Sequence, residues 1–101
     1  MESKKSIIDS AINTLKLESA AIFGLIDYIN DDFVAVVNSI LNSDGRVVVT
    51  GIGKSAIIAQ KIVATFNSTG TPAVFMHAAD AVHGDLGMIQ KDDVVLCLSK
   101  S

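Results

Sequence analysis

The sequence predicts an α/β fold in which helices come first and a parallel sheet follows. Three observations predict it. Apolar residues recur at helical steps from Ile7 to Leu41; short apolar or β-branched runs follow at Arg46 to Thr50, Ala73 to Met76 and Val94 to Leu98; helical spacing returns between the first two runs.

Ile7, Ile8, Ala11, Ile12, Leu15, Ile22, Leu25, Ile26 and Ile29 recur mostly at three-, four- and seven-residue steps, with Lys16, Glu18 and Asp27 between them. That is the pattern of a long amphipathic helix, ending near Tyr28 to Asn30. Asp31 or Asp32 can cap a second helix carrying Phe33, Val34, Val37, Ile40 and Leu41, and Asn42-Ser43-Asp44-Gly45 supplies the turn that stops it. Val47-Val48-Val49 then suits a strand buried on both faces of a parallel sheet. Ala56, Ile57, Ile58, Ile62, Val63 and Phe66 restore helical spacing up to about Asn67, so Gly51-Ile52-Gly53-Lys54-Ser55 lies on a strand-to-helix turn. Ser68 to Pro72 reads as a loop, and Asp92-Asp93 leads into the last strand. The expected domains are a helical segment over 1–45 and a sheet domain over 46–101. Three strands leave an open sheet edge, so the sheet domain is expected to be incomplete at its C-terminus.

Composition narrows the function. Half of the 101 residues are hydrophobic, enough for a globular core. Eight Lys plus Arg against eleven Asp plus Glu leave a net charge of −3 with no basic run, which argues against a nucleic-acid partner. The N-terminus MESKKSIID lacks the apolar region of a signal peptide, and no stretch is long and apolar enough for a membrane span, so a cytoplasmic protein without a membrane partner is expected. The lone Cys97, within Val94 to Leu98, reads as a reduced, buried thiol.

Gly51-Ile52-Gly53-Lys54-Ser55 invites two phosphate-loop readings. A P-loop would need glycine where Val48 stands, so an ATPase is excluded. Gly51, Gly53 and Ala56 do fit the dinucleotide spacing, but Met76-His77-Ala78 occupies the place of the acidic ribose partner. A more general anion site remains: Gly53 lets a ligand approach the backbone, and helix amides beside Lys54 and Ser55 favour negative charge. Ser68, Thr69 and Thr71, held by Gly70 and Pro72, form either a plain turn or a set of hydroxyls and amides suited to a polyhydroxylated ligand. His77, Asp80, His83 and Asp85 are the densest titratable cluster. His77, Asp80 and His83 at three-residue steps would share a helix face, as a metal site of two His and one carboxylate requires; alternatively the aspartates cap turns and a histidine packs.

GIGKS, KIVATFNSTGTP, HAADAVHGDLGM and DVVLCLSKS, in this order, resemble the front part of the sugar isomerase (SIS) domain of arabinose-5-phosphate isomerases, over Arg46 to Ser101. The resemblance implies a three-layer SIS-type domain, here truncated. It implies an aldose-ketose isomerase interconverting D-arabinose 5-phosphate and D-ribulose 5-phosphate, for synthesis of the sugar acid Kdo used in lipopolysaccharide or capsule. It also implies Lys54 and His83 as catalytic positions. Gly53, Ser55, Gly70, Thr71, His83, Ser99 and Ser101 are implied as substrate-binding, the two serines opening the phosphate-holding SxSG loop. His77 is implied as a position open to inhibitory zinc, with no cofactor required. A homo-oligomer, dimer or tetramer, is implied as well, and the long first helix is a plausible interface.

Two departures stand out: Ala56-Ile57 replaces the family's Gly-His, and Lys100 replaces its usual Asn. The family's carboxylate base follows the SxSG loop, so the 101 residues alone are expected not to catalyse. The alternative is an SIS domain binding another sugar phosphate, as isomerase or as non-catalytic sensor. A sensor would want an upstream helix-turn-helix, and the slightly acidic segment Met1 to Asn30 carries no basic module of that kind.

Overall fold

The computed structural model describes residues 3–79 and 85–99. The chain divides into two compact units, Met1–Val37 and Asn38–Ser101.

The first unit holds helix α1, Lys4–Gly24, which tightens into a 3₁₀ turn over Leu25–Tyr28, and most of helix α2, Asp31–Leu41. Ser3 caps α1, its hydroxyl accepting the Ser6 amide at 3.1 Å. The cap of α2 is not an aspartate, as the sequence suggested, but Asn30. Its side-chain oxygen accepts from the Asp32 amide at 3.0 Å and the Phe33 amide at 3.3 Å. Asp31 and Asp32 fall within the first turn, where their charge suits the positive end of the helix dipole. The apolar residues of α1 follow the expected periodicity, yet α1 buries none of them. Ile22 is 69% exposed and Phe23 73%.

The second unit is a parallel three-stranded sheet with a helix on one face. Strand β1 covers Val47–Gly51, β2 Ala73–His77 and β3 Val94–Cys97, in the order β2-β1-β3. Helix α3, Lys54–Ser68, connects β1 to β2. All five residues of β1 are buried, as a central parallel strand should be. Val47 and Val49 point toward α3 and form the core with Ala59 and Ala73, joined by Ile40, Ile62, Val63, Phe66, Phe75 and Leu96. Alternation sends Val48 and Thr50 to the opposite face. There the Thr50 hydroxyl is buried without a hydrogen-bond partner among the described residues.

Both ends of the sheet are tied. Asn67 bonds reciprocally with the Ala73 backbone at 2.9 and 3.0 Å, fixing the end of α3 to the start of β2. The Asp93 carboxylate accepts from the Arg46 amide, from two nitrogens of the Arg46 guanidinium and from the Gln90 amide, at 2.7 to 3.3 Å. Arg46 also donates to the Met88 carbonyl at 2.7 Å, holding the 3₁₀ turn Asp85–Met88 against the start of β1. Cys97 is exposed, which corrects the buried thiol expected from the sequence. β3 is an outer strand of the sheet among the described residues, and alternation turns Leu96 toward the core and Cys97 away from it.

Candidate functional site

Parallel strands deliver their C-terminal ends to one edge of the sheet. Gly51 of β1 pairs with His77 of β2, and Thr50 pairs with Cys97 of β3, so the ends of all three strands lie level. The chain leaves β1 toward β2 on one side and later returns to β3 on the other. The gap between β1 and β3 is therefore a topological switch point, where open α/β sheets bind ligands. A cleft of about 240 Å³ lies there, lined by Ile52, Lys54, Ser55, Leu98 and Ser99.

The turn into α3 explains this cleft. Gly53, the N-cap of α3, has φ +61° and ψ −130°, a conformation open in practice to glycine alone. It offers no side chain to cap the helix, and its carbonyl takes the Ala56 amide at 3.1 Å. The first amides of α3, at Lys54 and Ser55, therefore face the cleft end with the positive end of the helix dipole. Gly51 permits the close packing of α3 on β1: a Cβ there would stand 2.9 Å from the Ser55 carbonyl carbon and oxygen. Lys54 is exposed and Ser55 half-buried. Together they give a cationic side chain, a hydroxyl and free amides beside the Ser99 hydroxyl, a donor set suited to a phosphorylated or anionic oxygen-rich ligand.

Of the residues singled out from the sequence, Gly53, Lys54, Ser55 and Ser99 come together here. Ile52 and Leu98 form the cleft's apolar walls; sequence reading passed over them, although Ile52 sits between the two glycines and Leu98 precedes Ser99. His77 ends β2 on the other side of β1 from Ser99. Its Nδ1 accepts the Ala79 amide at 3.1 Å, and its ring meets Phe75 edge-on with centroids 6.2 Å apart. His83 and Ser101, with Asp80 and Lys100, lie outside the described residues. Among the described residues, no three His, Cys, Asp or Glu side chains are grouped to hold a metal ion.

Gly70 and Thr71 are not brought to the cleft. They follow the far end of α3, whose 15 residues span about 22 Å. The amides of Thr69, Gly70 and Thr71 are engaged there with carbonyls of Thr65, Phe66 and Asn67, so in this chain they close the helix C-terminus. A second hollow, of about 170 Å³ at Lys61, Ile62, Thr65 and Phe66, is almost wholly apolar. The one hydroxyl in it, on Thr65, is donated to the Lys61 carbonyl at 3.0 Å. Besides the Lys61 side chain, its walls offer a polar ligand nothing to orient it.

This geometry has counterparts. The SIS domain matches residues 40–101. Arabinose 5-phosphate isomerase KdsD of Pseudomonas aeruginosa is 52% identical over the whole chain, which spans 31% of that relative. Arabinose 5-phosphate isomerase GutQ of Escherichia coli K12 is 50% identical over 97 residues, 96% of this chain and 30% of the relative. The chain thus spans about a third of the length of the curated relatives it matches. Among solved structures, c3406 of E. coli CFT073 in complex with arabinose 5-phosphate superposes with a TM-score of 0.92 at 42% identity, over 99% of this chain and 53% of that one. With the helix-first order, the 2-1-3 parallel sheet and a family match over more than half its length, the chain belongs to the SIS domain family.

Proposed function

We propose that this chain is the front part of an aldose-ketose isomerase that interconverts D-arabinose 5-phosphate and D-ribulose 5-phosphate, supplying Kdo synthesis in the cytoplasm. The cleft at the β1/β3 switch point carries the reading. It offers Lys54, Ser55, Ser99 and the amides of α3 to an anionic, hydroxylated ligand. The substrate comes from likeness: two relatives about half identical over nearly the whole chain bear the name arabinose 5-phosphate isomerase, and c3406 was solved with arabinose 5-phosphate.

Moving a carbonyl between C1 and C2 requires removal of an adjacent proton, passage through an enediolate and return of the proton one carbon away. Lys54 stabilises the negative oxygen of that enediolate in this reading, which its position in the first turn of α3, at the positive end of the helix dipole, supports. Ser55 and Ser99 hold the ligand. His83 is proposed, from the family resemblance, to open the sugar ring or shuttle a proton between hydroxyls. The reaction so written needs no cofactor.

The test is an isomerisation assay on the protein at its relatives' length, with arabinose 5-phosphate and ribulose 5-phosphate as substrates and glucosamine 6-phosphate and fructose 6-phosphate as competitors. Preference for a six-carbon sugar would refute the substrate. In the same assay Lys54→Ala should lower kcat by at least about a hundredfold, the usual scale for loss of a group stabilising an oxyanion. A change in KM alone would assign Lys54 to simple phosphate attraction.

A further inference from the structure

We propose that His77 contacts the ligand as a neutral hydrogen-bond donor through Nε2, and that its geometry disagrees with a role as a resident metal ligand. This rests on the sugar-phosphate reading above.

The other ring nitrogen of His77 fixes the tautomer. Nδ1 of His77 lies 3.1 Å from the Ala79 amide nitrogen and accepts its hydrogen. A nitrogen that accepts carries no proton, so in the neutral ring the proton is on Nε2. Nε2 is then a donor with no lone pair to give a cation. Histidines that bind metals show the reverse arrangement: the free nitrogen binds the metal while the other donates its N–H to a carboxylate, a carbonyl or water. To ligate through Nε2, His77 would have to move its proton to Nδ1, which would set two N–H groups against each other at Ala79.

Placement supplies the rest. His77 is the last residue of β2 and stands opposite Gly51, where the turn to Lys54 begins. It shares with Phe75 the sheet face on which α3 packs, and it is half-buried. The N-terminus of α3 is thus flanked by Ser99 on the β3 side and His77 on the β2 side. Two strand spacings, about 10 Å, separate β3 from β2. A five-carbon sugar phosphate extended along the strand ends has a comparable length. With its phosphate at Ser55 and Ser99, its carbonyl and hydroxyl oxygens would pass the Lys54 turn toward His77. An Nε2–H there meets oxygen acceptors, which a sugar supplies at every carbon.

Two variants separate the two nitrogens. His77→Asn keeps an acceptor for the Ala79 amide and loses the distal donor, so it should fold with an unchanged melting temperature. His77→Gln supplies an N–H donor further out. Long-range proton–nitrogen NMR correlation on the ¹⁵N-labelled chain at alkaline pH should show His77 with its proton on Nε2, assigned by its loss in His77→Asn; a proton on Nδ1 would overturn the proposal. Zinc affinity, read by competition with a chromogenic chelator, should agree within twofold between wild type and His77→Asn; a tenfold loss in the variant would make His77 a metal ligand after all. At the relatives' length, His77→Asn should lower kcat/KM for arabinose 5-phosphate at least tenfold, with part recovered in His77→Gln. Activity within twofold of wild type would remove His77 from the ligand. If the protein instead turns over a six-carbon sugar phosphate, the substrate reading fails while the tautomer and zinc results still judge this proposal.

Discussion

Asp93 accepts four hydrogen bonds through its side chain in the second unit. Its carboxylate is fully covered, whereas Arg46 beside it keeps 27% of its side-chain surface exposed. The Arg46 guanidinium, through its hydrogen bonds, holds the Asp93 carboxyl well below the usual carboxylate range, and the Gln90 and Arg46 amides act in the same direction. The same contact raises Arg46. The sign follows from proton binding. An unfolded aspartate takes up its proton near pH 4, while folded Asp93 resists until lower pH. The stabilisation is therefore fully present above about pH 4 and declines as pH falls below it. Asp93→Asn should lower the urea midpoint at pH 7 and flatten its fall between pH 4 and pH 2; equal slopes in variant and wild type would show that Asp93 does not control the acid limb. None of this was legible in the sequence. Arg46 and Asp93 are 47 positions apart, and Asp92-Asp93 read only as the approach to a strand. A contact across two strand starts leaves no local periodicity to detect.

At the scale of elements, local rules served well wherever packing agreed with them. β1, α3, β2 and β3 lie within one or two residues of their expected bounds, since β-branched runs and helical spacing coincide with the faces that the core buries. They failed where two local rules competed. Asn30, Asp31 and Asp32 are all acceptable caps, and the structure selects the first because it leaves both carboxylates in the opening turn. Cys97 lay in an apolar run, but which face of β3 meets the core is settled by its register in the sheet, a property the run does not contain. The cleft was partly legible: Gly53, Lys54, Ser55 and Ser99 converge there, while Gly70 and Thr71 are held at the other end of α3. The joint of β1 with α3 yields a sharp expectation. Gly51→Ala pushes the first turn of α3, at Ser55, away from β1, at a cost of about 1 to 3 kcal/mol for an overpacked contact. Thermal unfolding should show that loss, and KM for the sugar phosphate should rise as the Lys54 and Ser55 amides shift; an unchanged melting temperature would mean that α3 can slide without penalty.

For the whole molecule, the exposed apolar side chains of the N-terminal helices are the main unsettled surface. Ile22, Phe23 and Ile26 are all at least 60% exposed, as is Tyr28. Surface of this kind is costly in water and marks an interaction site in soluble proteins. We propose a homo-oligomer, dimer or tetramer, formed through these helices. Sedimentation velocity should give a mass of two or four chains at micromolar concentration, falling toward one chain in Ile22→Glu; a wild-type monomer would refute it. No helix among the described residues is long and apolar enough to cross a membrane. Helix α3 has one more consequence at this scale. Because about 22 Å of rigid rod separates Lys54 from Thr71, their substitution energies within one chain should sum without a cross term. The two ends of α3 are then thermodynamically independent, one beside the cleft and the other at the junction with β2.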